Sequence, residues 1–337
     1  NDAPVITQAQ SSGIVVEAGA AGPGSPQATG DITAVDPDED GAIPIWTLAI
    51  DATNTTNFGA IIIDPVTGTW TYTLDEAAAQ ALTTGDSFVE RFVATVTDPF
   101  GGSASQDIDV TIEGTNDAPV VLNGSGTALE SGPQVTVDLS LLASDVDAGE
   151  DGSTLIYALV GNPTQGSAQI VGTNLIFTPG DDFAALAAGE TTDVVVNFTA
   201  TDAGGISVPA SVTITVTGTN SAPSFAANAT ADVAENAASL TVDLAVLGAD
   251  PDAGEDGATL IYALVGSPAQ GSAQIVGTDL IFAPGSDFST LAAGETALVV
   301  LNLTATDAGG ASVSGSVTIT VTGTNSVPEL AGTSLSL

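Results

Sequence analysis

Along most of the chain, apolar and polar residues alternate with the two-residue period of half-buried β-strands. Gly68-Thr69-Trp70-Thr71-Tyr72-Thr73-Leu74 is the clearest run, and Val110 to Ile112, Val212 to Val216 and Val317 to Val321 repeat the pattern. In the first third, strands are predicted at Val5-Ile6, Ile14 to Glu17, Ile32 to Val35, Trp46 to Ile50, Phe58 to Ile63, Gly68 to Leu74, Phe88 to Thr97 and Ser103 to Ile112. Ala18 to Gly30, rich in Gly, Ala and Pro, reads as a loop, and Asp75 to Leu82 as one or two helical turns with Asp75 as N-cap. About seven strands in about 110 residues is the count expected of an immunoglobulin-like sandwich.

The same pattern then returns twice. Strands are read at Gln134 to Asp138, Leu155 to Val160, Ala168 to Val171, Asn174 to Thr178, Asp193 to Ala200 and Ser211 to Thr217, and again 105 residues later. Leu186 to Glu190 suits a single helical turn and Gly124-Ser125-Gly126 a flexible one. Asp147–Thr191 and Asp252–Thr296 differ at eight of forty-five positions. A short joint separates the copies: Gly114-Thr115-Asn116-Asp117-Ala118-Pro119, Gly218-Thr219-Asn220-Ser221-Ala222-Pro223 and Gly323-Thr324-Asn325-Ser326-Val327-Pro328, with Asn1-Asp2-Ala3-Pro4 opening the chain. Rigid Pro, turn-forming Gly and oxygen-bearing side chains suit a short ordered linker. The expected architecture is all-β: three tandem immunoglobulin-like sandwiches in an elongated rod, at residues 1–115, 116–219 and 220–325. Residues 326–337 begin a further unit or form a tail. The alternating stretch Glu329 to Leu337 would be its truncated first strand or a donor strand for another copy.

Charge narrows the function. One basic residue, Arg91, stands against forty-one acidic ones, a formal net charge of −40. No nucleic acid can be bound without cations to neutralise phosphates, an anionic membrane surface would repel the chain, and no apolar run is long enough for membrane insertion. With no Cys and no His, disulfides, His-based triads, Cys nucleophiles and His/Cys zinc sites are excluded. Paired carboxylates could still serve a glycosidase, but the cleft such an enzyme needs is usually lined by aromatics, and the chain has two Trp and three Tyr. Trp46, Trp70 and Tyr72 fit a core better than a sugar platform. No signal peptide is seen and Asn1 is not a natural start, so an excised or processed segment is expected.

Acidity alone could serve solubility, yet the acids recur in register. An Asp-x-Asp turn appears in each unit as Asp36/Asp38, Asp145/Asp147 and Asp250/Asp252. Glu130 and Glu235 lie fifteen residues before the second and third turns, and Glu17 nineteen before the first. Asp98, Asp202 and Asp307 each precede the joint Asn (Asn116, Asn220, Asn325) by eighteen. Hard oxygen donors without His or Cys select Ca²⁺, which takes six to eight oxygens, so several turns must converge. Sandwich loops gather at the two ends. Asp145, Asp147 and Asp202 would therefore face Asn116-Asp117, with Glu17 reaching the same place from the preceding unit.

The joint resembles the cadherin linker, and the Glu, Asp-x-Asp and Asp positions resemble the cadherin calcium ligands. The first unit also resembles the VCBS repeat through Gly68 to Asp75, Thr97-Asp98 with Gly101-Gly102, and Gly114 to Pro119; the other two resemble cadherin-like repeats of large bacterial RTX-type adhesins. The resemblance implies an extracellular, cell-surface, calcium-rigidified extender whose partners are calcium ions, neighbouring repeats and, through other domains, cell-surface or matrix ligands. Such an extender would project a binding domain in adhesion and biofilm formation, after secretion as an unfolded chain. A self-assembling filament subunit and a carbohydrate-binding module are the alternatives. The cadherin Asp-Arg-Glu base motif has no plain match, leaving Asp182, Glu190, Asp287 and Glu295 as candidate stand-ins. Ser221 and Ser326 replace the joint Asp and should weaken those joints.

Overall fold

A computed structural model describes residues 1–38, 43–227 and 229–325. The remainder of the Asp36–Gly41 turn, Ser326 of the last joint and the Glu329–Leu337 segment lie outside the described residues.

The first unit is a two-sheet sandwich. Its strands are β1 (Val5–Ala9), β2 (Ser12–Val16), β3 (Gln27–Val35), β4 (Ile45–Ile50), β5 (Gly59–Ile63), β6 (Thr69–Leu74), β7 (Ser87–Thr97) and β8 (Ser103–Glu113). One sheet runs β1-β3-β6-β5 and the other β2-β8-β7-β4. The alternation foreseen for β6 is realised: Trp70 and Tyr72 are fully buried and Leu74 nearly so, beside Val15, Ile32, Phe92, Ile108 and Val110. Trp46 is buried too, so these aromatics fill the core. Asp75 caps helix α1 (Glu76–Ala79), its carboxylate accepting the Ala77 N–H at 3.1 Å.

The Ala18–Gly30 loop is shorter than the sequence suggests, because Gln27 to Gly30 already pair with Thr73 to Trp70. The inward positions there are Ala28, Gly30 and Ile32. Ala and Gly are too small to register as an apolar face, which hides the period.

The second unit contains β9 (Val120–Val121), β10 (Gly124–Leu129), β11 (Val135–Asp138), β12 (Ala143–Ser144), β13 (Ile156–Leu159), β14 (Ser167–Val171), β15 (Asn174–Thr178), β16 (Thr191–Thr201) and β17 (Ser207–Thr217). A β10-β17-β16-β13 sheet faces a β11-β15-β14 sheet over a core led by Leu139, Leu175, Phe177, Phe183, Phe198 and Ile214. The third unit repeats this arrangement, with Ala229–Ala234 parallel to Ser312–Thr322 as β10 is to β17.

Two readings of the second unit are corrected. Gly124-Ser125-Gly126 is the start of β10, paired in parallel with Val212 to Ile214. A Cβ on Gly126 would sit 2.8 Å from the Ile214 Cδ1, so glycine lets β10 lie close over the core. Gly126→Val should lower stability by roughly 1–3 kcal/mol, read as a drop in melting temperature. Leu186 to Glu190 is not a helical turn. Its polar groups are taken by the strand end, Gly189 N–H to Gly218 O at 2.9 Å and Gly218 N–H to Glu190 O at 2.8 Å. The short helical turn is instead Gly180–Phe183, just upstream.

Candidate metal centres at the joints

Each unit ends by tying a glutamate to the following joint. β2 pairs in parallel with β8, and the ladder continues to Glu17, whose N–H donates to Glu113 O at 3.0 Å. Its carboxylate then accepts the Thr115 N–H at 3.3 Å. Glu130 follows β10 in the same way and accepts the Thr219 N–H at 3.0 Å, and Glu235 accepts the Thr324 N–H at 2.8 Å. All three are buried. The parallel pairing fixes the glutamate at the unit's edge, which is why its register holds although the intervening loops differ.

The following unit supplies the opposite wall. In the Asp-x-Asp turns the first Asp accepts the N–H of the second, at 3.1 Å for Asp36/Asp38 and Asp145/Asp147 and at 2.9 Å for Asp250/Asp252. The second Asp in turn accepts the N–H of the residue after the joint Asn: Asp38 from Asp2 at 2.6 Å, Asp147 from Asp117 at 3.0 Å and Asp252 from Ser221 at 3.1 Å. Asp98, Asp202 and Asp307 accept the carboxamide N–H of Asn1, Asn116 and Asn220 at 3.1, 3.0 and 3.1 Å. A Cβ on Gly204 or Gly309 would overlap the Asn116 or Asn220 carboxamide, so the glycine two residues after Asp202 and Asp307 is the seat on which the joint Asn lies. Buried Pro119 and Pro223 follow directly.

The residues foreseen from the sequence are thus brought together in two groups. Glu17, Asn116, Asp117, Asp145, Asp147 and Asp202 gather at the first joint; Glu130, Asn220, Asp250, Asp252 and Asp307 gather at the second. Asp36, Asp38 and Asp98 form the same half-arrangement at the start of the first unit, while Glu235 and Asn325 stand at the end of the third. Asn1 and Asp2 join the first half-arrangement, a role their identity with Asn116-Asp117 already signalled.

Glu76 was missed. It sits on the first turn of α1, where its carboxylate accepts the Ala18 N–H at 3.1 Å and its charge bears on both Glu17 and Asp117. The only signal in the sequence was an acid beside a helix cap, which also serves the helix dipole. The candidate stand-ins for the base motif each have one carboxylate oxygen on a nearby N–H, and Asp182 and Glu190 line one cleft with Ala253, the neighbour of Asp252 at the second joint. Asp182 and Asp287 accept the Gly166 and Gly271 N–H at 2.7 Å, and Glu190 and Glu295 cap Ala187 and Ala292 in their own turns.

Electrostatics at the first joint are strained. Burial, followed by the charges of Asp117, Asp147 and Glu76, pushes the Glu17 carboxyl up to about 7 against the Thr115 hydrogen bond. Burial and then Asp145, Asp117 and Glu150 push Asp147 up to about 6, and burial with Asp145 and Glu76 raises Asp117. The one side-chain cation, Arg91, is engaged by Asp109 at 2.7 Å on an exposed strand face.

Among the described residues, ten buried side-chain oxygens have no hydrogen-bond partner, and every one belongs to a joint or a unit end. Glu17 Oε1, Thr115 Oγ1, Asp117 Oδ2, Asp145 Oδ2 and Asp147 Oδ1 lie at the first joint; Glu130 Oε2, Asp250 Oδ2 and Asp252 Oδ1 at the second; Asp36 Oδ2 and Glu235 Oε2 at the ends. Buried polar groups are normally satisfied, so this clustering leaves acceptor oxygens that a positively charged partner would satisfy. The all-oxygen donor set fits a hard divalent cation. Among the described residues no group of three acidic side chains is drawn together tightly enough to hold a metal ion as it stands; the fit rests on donor chemistry and orphaned oxygens rather than a preformed cage.

No curated protein matches the sequence. Among solved structures, the chain is similar to mouse cadherin-23 EC22-24, at 17% identity and a TM-score of 0.56, over 96% of this chain and 99% of that one. It is also similar to protocadherin gamma B2 extracellular cadherin domains 1-5, at 18% identity and a TM-score of 0.58, over 97% of this chain and 61% of that one. At such identities the likeness concerns the fold: tandem cadherin-like β-sandwiches. Residues 116–215 and 220–320 each match the family described as the Bacterial Ig domain. These segments make up more than half of the sequence, and the chain belongs to the bacterial Ig domain family.

Proposed function

We propose that the chain is an extracellular spacer whose units, divided at residues 115/116 and 219/220, are locked end to end by Ca²⁺ at the joints. The observation that carries this reading is that, among the described residues, all ten partnerless buried side-chain oxygens lie at joints and unit ends. At the first joint Glu17, Glu76, Asn116, Asp117, Asp145, Asp147 and Asp202 would hold the ion; at the second Glu130, Asn220, Asp250, Asp252 and Asp307 would do so. Bound calcium supplies positive charge where the chain has none. Without it the carboxylates repel across the linker. With ligands drawn from both neighbours, binding free energy becomes resistance to bending. A low-aromatic surface with high negative charge suits a solvated spacer better than an enzyme or a glycan platform. The VCBS-like first unit and the cadherin-like repeats favour an RTX-type surface adhesin, in which the spacer would carry a binding domain away from the cell.

Replacing Asp145 and Asp147 together by Ala tests the assignment of ligands to joints. Small-angle scattering in calcium should show flexibility gained at the first joint, while a probe across the second joint stays unchanged. An equal response at both joints would contradict the assignment.

A further inference from the structure

The two joints share one plan but differ at two carboxylates. Asp117, whose Oδ2 is buried without a partner, is Ser221 at the second joint. Glu76 has no counterpart there either. After β15 the chain enters the Gly180–Phe183 turn, and the nearby acids Asp182 and Glu190 each have one oxygen on an N–H group, of Gly166 and Ala187. The glutamates match, Glu17 Oε1 and Glu130 Oε2 each being buried without a partner, while the Thr219 hydroxyl donates to Glu130 at 2.8 Å and the Thr115 hydroxyl is unpaired. The second joint therefore offers fewer free anionic oxygens around the same Asp-x-Asp turn.

We infer that the joints load unequally, the first binding divalent cation more tightly and in greater number, so that falling calcium frees the hinge between the second and third units first. This rests on the calcium reading above, and adds to it a graded response: a chain stiff throughout at high calcium, bending at one defined joint at intermediate calcium. Cation affinity of oxygen sites is tuned over decades by the number of charged ligands, and two carboxylates distinguish the joints.

The absence of cysteine allows single labels to be placed on exposed loops of neighbouring units, so that energy transfer across each joint of the full chain can be followed during a calcium chloride titration. The midpoint across the second joint should lie at about tenfold higher calcium, or more, than across the first. Ser221→Asp should draw the second midpoint toward the first, and Glu76→Gln with Asp117→Ser should move the first up to the second. Thermal melts of each variant in saturating calcium establish that the sandwiches are folded. If both joints respond with one midpoint, or Ser221→Asp leaves the second unmoved, the unequal loading is wrong and the calcium reading stands. If neither joint responds to calcium, the calcium reading itself fails.

Discussion

Adding saturating calcium to chelator-treated protein should raise its melting temperature by on the order of 10–20 °C. A site filled at a hundred times its dissociation constant stabilises the folded state by about 2.7 kcal/mol, and each kcal/mol moves a domain of about 100 residues by roughly 4–8 °C. The effect should be specific to the ion that fits an oxygen cage. Magnesium demands a tighter octahedral geometry and gives up water reluctantly, so it should do much less at equal concentration. Sodium at matched ionic strength should do less still, because screening does not supply ligands to orphaned oxygens such as Glu17 Oε1 and Asp147 Oδ1. Differential scanning calorimetry with calcium, magnesium and sodium arms separates these cases. A common response to all three would reduce the effect to screening of the −40 net charge.

The second large effect is a reversal of pH dependence. In chelator, Glu17 in the folded chain titrates at about 7 against an ordinary 4.5, and Asp147 at about 6 against 3.8. Both carboxyls hold their protons more tightly when folded. Their contribution to stability is therefore fully present below about pH 4 and is lost as pH rises through 6 to 7. For Glu17 taken alone the loss is roughly 3 kcal/mol. Cation-free protein should accordingly melt at higher temperature at pH 5.5 than at pH 8. Calcium inverts the sign, since it binds the ionised carboxylates and protons compete with it; in millimolar calcium the protein should lose stability on going from pH 8 to 5.5. General relief of charge repulsion would also favour acid in the absence of calcium. Glu17→Gln isolates the local part: it should flatten the cation-free profile, and an unchanged profile would show that the junction is not its source.

How much of this was legible in the sequence depends on side-chain size. Strands whose inward face carries Trp70, Tyr72 and Leu74, or Val212, Ile214 and Val216, announced themselves. Strands whose inward face is built from Gly and Ala did not: β10 passed for a flexible turn and the start of β3 for a loop, because their packing consists of room left for others. The joint residues were found by register alone, as repetition at fixed intervals exposed Asp145/Asp147 and Asp250/Asp252 together. Glu76 occurs once, with no repeat to flag it, and only the placing of α1 beside Glu17 revealed it. The parallel pairing that positions Glu17, Glu130 and Glu235 was likewise invisible, since sequence period does not distinguish parallel from antiparallel neighbours.

The most direct test of the central claim is a calorimetric titration of the metal-free full chain with calcium chloride. Saturable binding of more than one ion per chain is expected, with the strongest class of sites lost in the Asp145→Ala, Asp147→Ala double variant. A flat titration, or binding that survives this variant unchanged, would contradict the account.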